Sequence, residues 1–282
     1  MAKKEQLPIY QKLVLSLKTG YKALDSDTQH QIDTFIGTQQ NPNGGFNNRG
    51  GNSDFYYSLF GYWLCEALEL TDIRDKHRAF IESYIGKEPD GTIDMLAFTL
   101  IRVGLSKGDT TYPTLPLLKK IFRESGKINL SYRFFLLLMV LDAQNKYRTT
   151  LLLFARIWLY FYRPTGNIPC SILAALIFVK NRAGLNYKKE QDKLLALYES
   201  GSGFRVFNRV RHSDMLSTAV ALFVLQDTGY DLRLISPGCL NFIEGNYHSG
   251  AFMSGDGDQS LDLEYTFYGL IALGSLTEEA ND

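Results

Sequence analysis

A chain of 282 residues that is 45% hydrophobic and 13% aromatic can bury a large core, which excludes disorder as the default reading. Thirty basic residues balance thirty acidic ones, so no whole-molecule field draws the chain to nucleic acid or to an anionic membrane, and any anion binding has to be local. Cys65, Cys170 and Cys239 are odd in number and irregularly spaced, a pattern of reduced thiols in a cytoplasmic protein rather than of a disulfide framework or a thiolate metal knuckle.

The first residues are charged and lead into Leu7–Leu24, a segment broken by lysines and therefore read as an amphipathic helix rather than a signal peptide. Residues 1–26 form this leading helix, and residues 27–282 carry six repeats of one pattern: helix, glycine loop, helix. In the first repeat the loop runs from Asn41 to Ser53 and contains Gly-Gly-Phe46. The last two repeats restate it with Gly203-Phe204 and Gly250-Ala-Phe252. Three degenerate versions lie between them, with loops at Pro89-Asp90-Gly91, Ser125-Gly126-Lys127 and Pro164-Thr165-Gly166. An Asp or Ser stands where each second helix is expected to begin: Asp54, Asp94, Ser131, Ser171, Asp214 and Asp262. A side-chain oxygen there accepts from first-turn amides, so N-capping is the ordinary role of these residues, worth about 1 kcal/mol each.

The most apolar windows, Phe134–Leu141 and Leu151–Tyr162, are too short to span a bilayer and read as buried helices. The second helices are apolar nearly all round, whereas the first helices carry charge on one face, as in Asp72-Ile-Arg-Asp-Lys-His-Arg-Ala-Phe80. An all-apolar helix is buried and a one-sided one is superficial. An inner ring of buried helices inside an outer amphipathic ring is an all-α (α/α)6 toroid, a single domain in which repeat six closes against repeat one. The competing architecture is an open solenoid, which needs polar capping repeats at both ends. Here the terminal repeats are instead the richest in the motif.

The string Gln40-Asn-Pro-Asn-Gly-Gly-Phe46, followed by Asp54-Phe-Tyr-Tyr57, resembles the repeat signature of protein prenyltransferase β subunits and of squalene and hopene cyclases. The resemblance covers the chain by period and is specific in repeats one, five and six. It implies a toroid whose central aromatic cavity takes an isoprenoid or similar apolar molecule, and a transferase or cyclase activity. In the transferase branch zinc is held by an Asp-x-Cys-Tyr and an Asp-Phe-Tyr-His. Here Asp262-Leu-Glu264-Tyr265 and Asp54-Phe-Tyr-Tyr57 stand in those places, so Glu264 replaces the Cys and Tyr57 the His. Zinc prefers thiolate and imidazole, and this exchange speaks against zinc-dependent thiolate activation. Asp262 and Glu264 stay as the weak ligand candidates for a divalent metal, zinc or magnesium. The loop that carries the diphosphate-binding cations in the family reads Gly255-Asp-Gly-Asp-Gln259 here, which would repel a diphosphate unless a divalent cation intervened. Basic residues lie one repeat earlier, at Arg205, Arg209, Arg211 and His212, beside a helix N-terminus that favours anions. The Asp-x-Asp-Asp of the cyclase branch has no match, and its nearest substitute is the set Asp256, Asp258, Asp262 and Glu264.

The expected site therefore combines Asp262, Glu264, Tyr57 and Asp214 as catalytic residues with Tyr56, Phe60, Trp63, Tyr132, Tyr265, Arg211 and His212 around the substrate. Nucleic acid and membrane spans are not expected, and the need for a partner subunit is left open. A binding or scaffold protein that kept the toroid after losing the zinc triad is the alternative. Lanthionine-cyclase and glycan-degrading toroids fit less well, since the former need a Cys/Cys/His site and the latter lack the Gln-to-Gly-Gly-Phe loop.

Overall fold

The computed structural model describes residues 7–87, 89–106, 136, 139–140, 142–143, 153, 156–157, 159 and 166–277. Ten helices lie among them: α1 Ile9–Lys22, α2 Ser26–Thr38, α3 Phe55–Leu68, α4 Thr71–Ser83, α5 Thr92–Leu105, α6 Cys170–Arg182, α7 Lys188–Leu195, α8 Met215–Asp227, α9 Ser236–Gly245 and α10 Leu263–Leu276. The regular sheet among the described residues is a two-residue pairing, β1 Tyr247–His248 antiparallel to β2 Ala251–Phe252. The protein is all-α and built on a helical repeat.

Burial follows the distribution of charge. α3 has a single charged residue, Glu66, and buries all but two of its residues, among them Phe55, Tyr57, Phe60, Tyr62 and Trp63. α4, with Asp72, Arg74, Asp75, Lys76 and Arg78 on its open side, buries His77, Phe80 and Ile81 alone. α8 and α10 are buried like α3, and α2 and α7 are one-sided like α4.

The described residues divide between two compact units. In the first, residues 1–15 and 38–149, α3 packs against both α4 and α5. In the second, residues 16–37 and 150–282, α8 lies between α6 and α10, with α7 on α6 and α9 on α10. The second unit also joins α1 to α10. A Cβ on Gly274 would run into the Ser16 carbonyl, and one on Gly20 into the Leu270 carbonyl, so α1 and α10 cross at backbone contact. The Ser16 hydroxyl donates to the Ile271 carbonyl at 3.2 Å across this crossing.

Three expected caps are caps. Asp54, Asp214 and Asp262 are extended residues whose carboxylates accept from the amides of Tyr57, Ser217 and Tyr265 at 2.8, 2.8 and 2.9 Å. Two are not. Asp94 is the third residue of α5, because Gly91 is already extended and its carbonyl takes the Met95 amide. Ser171 is the second residue of α6, because Pro169, with φ fixed at −59°, starts the helix and accepts from Ile172 and Leu173. Ser131 and the loop at 125–127 lie outside the described residues.

The reading of Leu151–Tyr162 as buried is also corrected. Leu153 and Ile157 are helical and 58% and 53% exposed, with Arg156 exposed between them and Leu159 buried. An apolar helix has two sides, and its composition does not say that both are covered.

Candidate functional site

The glycine loops are built as one module, and the same contacts recur. The amides of Phe46, Phe204 and Phe252 donate to the hydroxyls of Ser58, Thr218 and Thr266, each four residues past the capping aspartate. All three rings are almost wholly buried. Phe46 lies where a Cβ on Gly61 would stand, and Phe252 where one on Gly269 would stand. The residue after each phenylalanine pairs back across the loop, Asn47 to the Gln39 carbonyl, Arg205 to Leu197 and Met253 to Asn246. Within the second unit each loop also closes the preceding buried helix. The first amide of α6, from Cys170, donates to Val206, and the first amide of α8, from Met215, donates to Ser254. The module thus serves two hairpins at once.

The glycines ahead of the phenylalanines fix the loop on its other side. Gly44 and Gly250 take φ of 89° and 91°, conformations that favour glycine. Gly44 lies on the Lys76 carbonyl of α4, and Gly250 lies in the same way on the Gln31 carbonyl of α2. The Tyr247 hydroxyl strengthens the second contact, donating to Gln31 Oε1 at 2.9 Å and accepting from the Gly250 amide at 3.1 Å.

Four of the expected site residues come together at the N-terminal ends of α8 and α10. Tyr265 is half-buried with the carboxylates of Glu264, Asp214, Asp262 and Asp256 around it. Burial first, and then these negative charges, raise its phenol above the ordinary value, so it stays a neutral donor. Asp214 is buried, and desolvation pushes its carboxyl upward despite the hydrogen bonds from Ser217, with the Asp256 charge adding to the shift. Asp256 goes the other way. The Ser254 hydroxyl and the Asp258 amide both donate to it and hold it below the usual range, which keeps it an anion. One carboxyl disposed to hold a proton and one disposed to release it therefore share a site.

The first unit holds the other expected group. Tyr57, Phe60 and Trp63 are buried and Tyr56 half-buried on α3, with Tyr56 edge-on to both Tyr57 and Phe60 at 5.5 and 5.0 Å and Phe60 edge-on to Trp63 at 6.2 Å. Asp54, at the head of this helix, and Asp94 both have raised carboxyls, from burial in each case and for Asp94 also from the charge of Asp54. Tyr132 lies outside the described residues.

Arg211 and His212 are exposed on the loop ahead of α8, as is Arg209. Arg205 is turned away, its guanidinium donating to the carbonyls of Leu197 and Ala196 at 3.4 and 3.5 Å. The α8 N-terminus already holds the Asp214 carboxylate. An anion near Arg211 and His212 would meet those side chains rather than free helix amides.

The zinc set implied by the resemblance does not fit these residues. No group of three or more His, Cys, Asp or Glu with metal-holding geometry occurs among the described residues, and Asp262, 4% exposed, is committed to the Tyr265 amide. None of the three cysteines is in a disulfide and all are buried, so none offers a thiolate at the surface.

Two features escaped sequence reasoning. One is Ser254, whose hydroxyl organises Asp256, and the signal for it was its position two residues after the loop phenylalanine, as with Val206. The other is His77, wholly buried on α4, with Nδ1 3.1 Å from the Gly44 carbonyl and its ring among Phe46, Tyr62 and Phe80. No family model matches the chain, and no curated protein matches it.

Proposed function

We propose that this protein is a closed ring of six helical hairpins of the prenyltransferase and cyclase type, and that it binds an isoprenoid or similar long apolar molecule against its buried helices. We place the chemistry at the carboxylate cluster of α8 and α10. Closure is supported by the pairing of α1 with α10 and by the seat of Gly250 on α2, which matches that of Gly44 on α4. In an open solenoid the first and last hairpins are the pair farthest apart.

The observation that carries the functional reading is the gathering of Asp214, Asp256, Asp262 and Glu264 around the Tyr265 phenol. A buried carboxyl with a raised pKa is suited to protonate a carbon–carbon double bond, and the neighbouring anions and aromatic faces stabilise the resulting cation until it loses a proton. Incubation with linear polyprenyl substrates and mass spectrometry of the products tests this. Asp214→Asn and Glu264→Gln should abolish product while native mass spectrometry still detects the bound apolar ligand. Unchanged turnover in both variants refutes the chemistry, and absence of any retained apolar ligand refutes the binding.

A non-catalytic binding or scaffold protein is the second reading, favoured by the use of Asp54, Asp214 and Asp262 as helix caps. On that reading alanine at Asp262 and Glu264 costs stability and nothing else.

A further inference from the structure

Between Asp142 and Glu190 the sequence contains no acidic residue. Its 47 positions, 143–189, hold eight lysines and arginines, so a chain of zero net charge is +8 over this window and −8 over the rest. The same window has eight aromatic residues, including Trp158 and four tyrosines or phenylalanines between 154 and 162. Part of the charge is answered internally: Lys180 pairs with Glu190 at 2.7 Å, Lys188 with Asp192 at 2.8 Å, and the Arg182 guanidinium lies over Phe178 at 4.8 Å. Arg156 and Lys189 are exposed, and Lys146, Arg148 and Arg163 accompany Arg156 in the sequence.

On the helical residues of this stretch Leu153 and Ile157, four apart, are more than half exposed on either side of Arg156, while Leu159 is buried. The charged helices α4 and α7 have no such exposed apolar pair. Branched aliphatic groups beside a cation, in a segment rich in aromatics and free of acids, match the interface of a bilayer with anionic headgroups. They match other occupants less well. A second copy docked face to face would set Arg156 against Arg156 with no acid in the window to compensate. Nucleic acid offers phosphates to Arg156 but gains little from exposed Leu153 and Ile157. No described helix is long and apolar enough to cross a membrane.

We propose that this face docks the protein on an anionic phospholipid surface, with Leu153 and Ile157 entering the headgroup–acyl boundary and Arg156 meeting the headgroups. The inference stands apart from the chemistry proposed above and survives its failure.

Sedimentation of the full-length protein with vesicles of phosphatidylcholine alone, or with about one third phosphatidylserine, provides the test. The bound fraction should be severalfold higher on the anionic vesicles and should fall as salt is raised. Leu153→Asp combined with Ile157→Asp should weaken binding about tenfold with an unchanged melting temperature, and Arg156→Glu should reduce binding to the anionic vesicles alone. The proposal is overturned if the wild type stays in the supernatant with both vesicles, or if the double variant sediments as the wild type does. It is equally overturned if the double variant instead converts a dimer to a monomer, or abolishes oligonucleotide binding, while vesicle binding persists.

Discussion

His77 gives the sharpest link between acidity and stability. Its Nδ1 faces the Gly44 carbonyl, which can only accept, so that nitrogen carries the hydrogen and Nε2 is a buried lone pair without a hydrogen-bond partner. An imidazolium would bring a second N–H into a cage of Phe46, Tyr62 and Phe80, and burial lowers the folded pKa to about 4. In the unfolded chain the value is about 6.5. A group that holds its proton less well when folded contributes stability that is complete above the unfolded pKa and is lost as pH falls towards the folded one. The full difference corresponds to about 3 kcal/mol, of which about 2 kcal/mol disappears between pH 7.5 and 5.0. Urea unfolding of the wild type and of His77→Asn, whose amide can donate where Nδ1 does, isolates this effect. The buried carboxyls of Asp54, Asp94 and Asp214 respond in the opposite sense and are common to both proteins. The wild type should lose about 2 kcal/mol more than the variant over that interval. Equal losses, or an imidazole proton resonance titrating near pH 6.5, would refute the reasoning.

Gly269→Ala drives a methyl group into the Phe252 ring and should cost about 1–3 kcal/mol by chemical denaturation. A cost near zero would mean that the loop is free to shift. Asp54→Ala removes a cap and should cost about 1 kcal/mol, with Asp54→Asn recovering most of it. Lys180→Met leaves Glu190 charged and nearly buried and should cost about 3 kcal/mol, whereas replacing both partners with apolar residues should restore stability. All three thiols should resist a thiol reagent until denaturant is added, since each is buried and burial raises Cys170 strongly and pushes Cys239 up to about 12.

The repeats were legible where local chemistry alone specifies them. Glycine–phenylalanine loops, capping aspartates eight or ten residues past the phenylalanine, and apolar helices behind them are short-range signals, and repeats one, five and six carry them all. The degenerate repeats misled because other residues start their helices. Gly91 and Pro169 supply extended backbone without a side-chain cap, which displaces Asp94 and Ser171 into the first turn. The carboxylate cluster was legible only as a list of acids. That the Asp214 charge acts on Tyr265, and that Ser254 separates the protonation behaviour of Asp256 from that of Asp214, depends on the seat of one loop upon the preceding helix. Contacts of that kind join residues tens of positions apart and leave no spacing to read. The exposure of Leu153 and Ile157 was hidden for a different reason: hydrophobicity records what a side chain prefers, and here the preference is unmet.

The crossing of α1 and α10 also bears on the order in which the chain matures. Ser16 and Ile271, 255 positions apart, are bonded, so α1 receives this partner only once α10 has left the ribosome. Until then the Gly20 side of α1 and the Gly250 seat on α2 stay uncovered, and a nascent chain stalled before residue 263 exposes them to chaperones and to other chains. Such high contact order predicts slow completion of the second unit, paced by this docking of α1 on α10 rather than by helix formation.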